Sequence, residues 1–195
     1  MSRTTTRRGG RQVQRRRPKR NTSLIAGLLI GGLGIALVAG LLVARQSALA
    51  VPGEEQIANQ GAAHISNPTD SHVAYNSNPA TSGAHWGGGT APWGVQSQPI
   101  ADEVTTHNLE HGGIVFQYRQ GLDQTSVDQL TALAGQLQRQ NQCILLAPRP
   151  AEKIDAPIVA TAWNYLLKLP SFNADTLTKF FQAHIGRGVE QVCRR

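Results

Sequence analysis

The sequence predicts a small α+β domain, a mixed sheet with helices on one side, preceded by a long irregular Gly/Pro-rich loop and standing behind an N-terminal transmembrane helix. Three observations carry that prediction. Leu24 to Ala44 is 21 residues without a charge or a strongly polar side chain. From His107 onward, strand-like and helix-like apolar spacings follow one another in the order strand, helix, strand, strand, helix. Ahead of them, residues 64–106 show little periodicity and are punctuated by glycine and proline.

Residues 1–23 carry nine of the 19 Lys+Arg residues among Ser, Thr and Gly, which predicts a disordered basic tail. At 1.5 Å per residue, 24–44 spans about 31 Å as a helix, the thickness of a bilayer's hydrocarbon core. Basic residues gather on its N-terminal side, so the tail stays in the cytoplasm and residues 46–195 cross, giving a single-pass protein. Ala48-Leu49-Ala50 fits a signal-peptidase site, which makes cleavage after Ala50 the alternative. Signal cores run only about 7–15 apolar residues, and this one is longer, which favours a retained anchor. Gly27, Gly31, Ala36 and Gly40 have the spacing that lets membrane helices pack closely, although glycine is common in such helices without any partner.

Residues 45–63 read as a polar spacer, and 64–195 as one extracytoplasmic domain with enough chain for a single core. The overall charge of +7 suggests a nucleic-acid binder, but residues 46–195 hold nine basic against all 12 acidic residues, a net of −3. The basic excess belongs to the tail and the membrane edge, so no nucleic-acid partner is expected.

Asn76 to Pro99 contains three prolines and five glycines. An irregular connection of this length is uncommon in a compact domain unless it is functional or disordered. Trp86 and Trp93 argue for order, since tryptophan seldom stays in solvent, and the loop should fold back over the domain body. Gly113 to Tyr118 then reads as a strand. Ser126 opens a helix with capping-box spacing to Gln129, and Val127, Leu130, Leu133, Ala134 and Leu137 form one face. Cys143 to Ala147 is a short buried strand stopped by Pro148 and Pro150. Ile158 to Tyr165 reads as another strand, with the run to Leu169 partly helical. Asn173 caps a last helix in which Leu177, Phe180, Phe181 and His184 recur at i, i+3, i+4 and i+7, closed by Gly186 or Gly188.

The two cysteines, Cys143 and Cys193, both fall in the part expected outside the cytoplasm, where disulfides persist. A bond between them would tie the C-terminal helix to a core strand and stabilise the fold by about 4 kcal/mol in the chain-entropy model. Paired, Cys143 cannot ligate metal. Met1, the only methionine, stands on the other side of the membrane, so a blue-copper site is not expected.

Four histidines, His72, His85, His107 and His111, come close enough in sequence to converge, with Asp102, Glu103 and Glu110 as nearby oxygens; His64 is a weaker fifth, close to the spacer. In His107-Asn108-Leu109-Glu110-His111 the imidazoles lie four apart, and Gly112-Gly113 follows at once. Neutral imidazoles suit zinc, copper or iron. The competing reading is that His107 and Glu110 bond backbone groups and pin the long loop. Taken literally, H-x-x-E-H is the signature of inverted zinc peptidases, but that motif needs a helix and a further acidic ligand. The glycines oppose the helix, and Glu152, Asp155 and Glu190 lack supporting context. Ser82 sits in no G-x-S-x-G elbow, and His184 packs beside the apolar face of its helix or points to water.

The blocks His72-Val73-Ala74-Tyr75, Asn78-Pro79-Ala80-Thr81-Ser82-Gly83-Ala84-His85 and His107 to Val115 resemble the bacterial domain-of-unknown-function family 3105. Ala162-Trp163 looks like that family's later A-W element. Ala80 stands where the family usually has a second proline, and Trp93-Gly94-Val95 resembles its G-x-Y stretch only loosely. The resemblance covers roughly 64–190 and implies a domain behind one membrane segment. It carries His72, His85, His107, Glu110 and His111 over as motif positions of one site and implies no activity.

The expected protein is therefore a domain anchored in the bacterial cytoplasmic membrane through residues 24–44, facing outward, whose histidines bind a transition metal. Its chief rival is a non-catalytic envelope module in which the same motif fixes the loop and a protein partner docks on it. A metal-dependent hydrolase or oxidoreductase ranks third.

Overall fold

A computed structural model describes residues 51–190 and 192–194 of the chain. The expected basic tail, membrane helix and G-x-x-x-G pair lie outside the described residues, among which no helix is long and apolar enough to cross a membrane.

The central sheet is built around the strand Ile114–Arg119, which follows the double glycine. In chain order the strands are β1 (Glu54–Gln56), β2 (His64–Ile65), β3 (His85–Trp86), β4 (Gly94–Val95), β5 (Ile114–Arg119), β6 (Ile144–Arg149), β7 (Ile158–Ala162) and β8 (Tyr165–Leu169). The helices are α1 (Asp102–Glu110), α2 (Gln124–Gln138) and α3 (Ala174–His184). Six strands form one sheet in the order β1-β8-β7-β5-β6-β4, and β2 with β3 forms a separate two-stranded piece. β5 runs parallel to β6, with Ile114 opposite Ile144, and antiparallel to β7. The sheet is mixed, as expected for an α+β domain. Only a crossover can join parallel neighbours, and α2 supplies it between β5 and β6.

Successive side chains of a strand point to opposite faces, and β5 uses both. Ile114 and Phe116 pack with Leu130, Leu133 and Leu137 of α2 and with Leu177, Phe180 and Phe181 of α3. Val115 faces the other way, with Leu145, Trp163 and Leu109 of α1. The expectation of helices on one side therefore holds for α2 and α3 only. The sequence hides α1 because the residues it buries include Thr105, Thr106, His107, Asn108 and Glu110, which leave no apolar stripe to read.

Two boundaries differ from expectation. α2 starts before Ser126, because the Asp123 side chain accepts the Ser126 N–H at 2.9 Å and caps the helix. The run from Ile158 to Leu169 is a hairpin, β7 and β8, with no helical part. Its turn contains Asn164 at φ 65°, a left-handed position that asparagine tolerates. Part of the expected spacer also joins the domain, since Glu54–Gln56 pairs with β8. At α3 the Asn173 side-chain oxygen Oδ1 accepts the Thr176 N–H at 2.9 Å, as expected of a cap. Asn173→Ala should lower the unfolding free energy by about 1 kcal/mol in urea titration with the m-value unchanged.

Cys143 and Cys193 form a disulfide, with Cα atoms 5.8 Å apart. Cys193 lies beyond α3, so the bond ties the segment after the helix, and not the helix itself, to the start of β6.

Candidate metal centre

The irregular loop is ordered by backbone bonds that the sequence pattern does not announce. Gly83 and His85 donate to the carbonyls of Gly61 and Ala63 at 2.8 and 2.9 Å, and Ser82 Oγ accepts the Gln60 N–H at 3.0 Å. Ser82 is fully buried, which suits a structural hydroxyl. The pairing aligns β2 with β3 so that His64 stands directly beside His85. Of the two tryptophans, Trp93 packs against both core clusters and Trp86 donates from Nε1 to the Ser66 carbonyl at 3.1 Å.

Across from this pair, α1 divides its last turn among four tasks. Leu109 enters the core under the sheet. Asn108 clamps the loop by accepting the Ala91 N–H at 2.9 Å and donating to the Ala91 carbonyl at 3.0 Å. His107 and Glu110, one turn apart, face His64 and His85. His111 is the C-cap, with Gly112 at φ 84° turning the chain away. The glycines therefore end α1 after the motif rather than prevent it. Gly113 has its own reason: a Cβ there would come within 2.3 Å of the Trp93 ring.

Five side chains converge. Glu110 Oε2 lies 3.0 Å from His85 Nε2, 3.2 Å from His64 Nε2 and 3.9 Å from His107 Nε2. His107 Nε2 lies 3.1 Å from His111 Nε2. His64, His85 and His107 bring one potential ligand atom each to within 4.8 Å of one another, and so do His107, Glu110 and His111. His85, His107 and Glu110 are buried, while the His64 side chain is 48% exposed.

The hydrogen bonds of this cluster leave one contact, His85 Nε2 to Glu110, without an evident donor. His85 Nδ1 meets the Gly83 carbonyl at 2.9 Å and His107 Nδ1 meets the Trp86 carbonyl at 2.7 Å. A carbonyl only accepts, so both Nδ1 atoms must carry their hydrogens, and in a neutral ring Nε2 is then a bare lone pair. Burial pushes the Glu110 carboxyl up, but hydrogen bonds and charge from His64 and His85 outweigh it and leave the carboxyl below its ordinary value. An ionised Glu110 and a neutral His85 would set two acceptors against each other at 3.0 Å inside the protein. His64 Nε2 can donate to the same oxygen at 3.2 Å, so what is left is the His85–Glu110 contact, which a proton between the two acceptors or a metal ion would satisfy. Backbone carbonyls that fix Nδ1–H and aim Nε2 inward are the usual outer shell of metal-binding histidines. His111 is lowered by burial first and by His107 next, which keeps its ring neutral at pH 7.

His72, expected in the cluster, is not brought into it. Its Nδ1 donates to the Val73 carbonyl at 2.8 Å and its Nε2 lies 3.2 Å from Glu103 Oε1. The Val73 carbonyl and then Glu103 raise its pKa above the ordinary value. A raised histidine stabilises the fold below its unfolded pKa and loses that contribution as pH rises through the folded one. The stability gap between the native chain and Glu103→Gln should thus be widest in mildly acidic buffer and close as pH rises past neutrality in pH-resolved thermal melts. Asp102 is also engaged elsewhere, in a two-point pair with Arg149 at 2.7 Å that anchors the start of α1 to the end of β6. His184 lies against Tyr165 and Phe180, with Nε2 2.7 Å from Glu54 Oε2.

Two residues enter that the sequence ranked low. His64 stood apart because nothing local announces that a two-residue strand pairs it with His85. Glu190 stands with its Oε2 2.9 Å from His111 Nε2, although 79 positions separate the two in sequence.

A protein-family model described as "Protein of unknown function (DUF3105)" matches residues 66–194. No curated protein and no solved structure matches the chain.

Proposed function

We propose that this chain, which belongs to the DUF3105 family of proteins of unknown function, binds a transition-metal ion through His64, His85 and His107, with Glu110 and His111 completing the set. One observation carries the reading. The Nδ1 atoms of His85 and His107 are committed to backbone carbonyls while their Nε2 atoms and the Glu110 carboxylate turn toward one another. Loop pinning explains the first half of that arrangement, and the second is the one a cation held between the Nε2 atoms and the carboxylate would use. Ligands so rich in imidazole favour zinc, copper or iron over magnesium or calcium. The buried histidines would hold and orient the ion, and the half-exposed His64 marks the side from which it is reached.

The domain is proposed to work outside the cytoplasm, held to the bacterial membrane by residues 24–44. The Cys143–Cys193 bond supports that compartment, since such bonds are rare in reducing cytosol. A second reading, metal-dependent hydrolysis, gains one point: α1 does carry His107, Glu110 and His111 together on helix and cap. A protein-docking role for the loop remains the rival that metal analysis separates.

The test is elemental mass spectrometry on the full chain, purified without a histidine tag, beside His107→Ala/His111→Ala. Metal near one equivalent, lost in the variant, is the expected result. No metal after reconstitution with zinc, copper and iron would leave the histidines as loop pins.

A further inference from the structure

Glu190 meets His111 at Nε2, the atom that ring would give to a metal, with Oε2 2.9 Å away. Backbone holds the carboxylate there. Glu190 donates its N–H to the Glu110 carbonyl at 3.0 Å, and Gly186 and Cys193 on either side donate to the carbonyls of Gly112 and His111, each at 2.8 Å. The crossing is so close that a Cβ on Gly188 would lie 2.1 Å from the Glu110 carbonyl oxygen and from the Gly112 nitrogen. Glu190 thus brings a sixth donor to the five side chains that converge at the end of α1.

Six donors exceed what one zinc ion takes. Protein-bound zinc is almost always four-coordinate, and His64, His85, His107 and Glu110 already supply four. The donors also fall into two groups of mutual neighbours rather than one, the first His64, His85 and His107 and the second His107, Glu110 and His111. His107 can serve only one ion, because its Nδ1–H is committed to the Trp86 carbonyl and Nε2 has a single lone pair. Glu110 has two carboxylate oxygens and can serve two. In a tetrahedral site with bonds of about 2.0–2.1 Å, neighbouring donors stand about 3.3–3.4 Å apart. His64 and His85 stand 3.2 and 3.0 Å from Glu110, and His111 and Glu190 stand 2.9 Å apart, so each end of the array needs to open only slightly.

We propose that the cluster is two adjacent sites, and that His111, Glu190 and the second oxygen of Glu110 hold a further divalent transition-metal ion, with Glu110 bridging it to the first. The proposal rests on the metal-binding reading and moves His111 from the first ion's set to the second's. The added site is the outer one. Its own side chains, His111 and Glu190, are 22% and 45% exposed, whereas His85, His107 and Glu110 are buried. With three protein donors it keeps a position for water. Its ion therefore exchanges with the medium, so the inner ion stays through purification and the outer one is taken up when zinc is supplied.

The test is zinc titration against a chelating dye, carried to saturation on the full chain stripped of metal, beside Glu190→Ala and Glu190→Gln. The native chain should take two equivalents in two steps, the second weaker. Both variants should keep the first step at native affinity and lose the second. Glutamine retains an oxygen that can accept a hydrogen from His111 but carries no charge. A second step surviving in Glu190→Gln would thus make Glu190 a hydrogen-bond partner only and overturn the proposal. Survival in Glu190→Ala would place that ion elsewhere, as at His72 and Glu103, and a native chain that stops at one equivalent would leave a single site. Either result overturns the proposal with the metal reading intact, and so does loss of both steps in Glu190→Ala, which would make Glu190 a ligand of the first ion. A native chain that takes up no zinc, copper or iron would sink both readings. The backbone bond from Glu190 to Glu110 survives either substitution, so the fold does not hang on the exchanged side chain.

Discussion

Zinc at a hundred times its dissociation constant should raise the unfolding free energy of the native chain by about 2.7 kcal/mol and leave His85→Ala/His107→Ala unmoved. For a domain of this size that gain corresponds to roughly 5–11 °C in melting temperature. The expected contrast follows from where the two rings stand. Both are buried and both present Nε2 to Glu110, so removing them takes away two ligands and leaves His64 as the remaining histidine at the buried carboxylate. Truncation also breaks the Nδ1 bonds to Gly83 and Trp86, so the variant starts from a lower melting point without metal. The quantity that matters is therefore the shift on adding zinc within each protein, followed by its reversal with a chelator. Equal shifts in both proteins would place the ion elsewhere, and no shift in the native chain would remove the ion altogether.

The second large effect is a pair of glycine substitutions with opposite signs. Gly188→Ala places a methyl 2.1 Å from the Glu110 carbonyl oxygen and the Gly112 nitrogen, and these are backbone atoms that cannot swing aside. Gly112 is hemmed in reciprocally, its absent Cβ pointing 3.0 Å from the Gly188 nitrogen. The segment after α3 must lift or α1 must shift, at about 3 kcal/mol, the upper part of the usual range for overpacking. Gly135→Ala meets nothing within 4 Å and lies inside α2, where alanine is the better helix former. It should add about 0.5–1 kcal/mol. Urea titrations of the two variants give the comparison. A neutral Gly188→Ala would mean that the close crossing of Gly188 over the end of α1 is not maintained in solution.

What the sequence discloses depends on whether the deciding contacts are local. α2 and α3 could be read because Leu130, Leu133 and Leu137, and again Leu177, Phe180 and Phe181, repeat at helical spacing. The cysteine pair could be read because only two cysteines exist. α1 could not, because its buried face is made of polar groups committed to the loop, and periodicity measures only apolar burial. The hairpin turn between β7 and β8 lacked glycine and proline. Within the site, His85, His107, Glu110 and His111 were named from two motif blocks. His72 was named with them and lies with Glu103 instead. His64 and Glu190 depend on contacts across 21 and 79 positions, through a two-residue strand and the segment after α3, which leave no pattern along the chain.

The two faces of β5 have a consequence for how this protein can change. One face carries the large cluster with α2 and α3, and the other carries α1, the loop and the histidines. Residues on opposite faces of the sheet share few partners, and substitutions that share none combine close to additively. Gains made behind the sheet, at Gly135 or around Leu133, can therefore offset losses made in front of it while the ligand set is varied. An engineer could exchange imidazoles for thiols or carboxylates on this scaffold after first strengthening its far side, with the sheet acting as a partition between the two sets of edits.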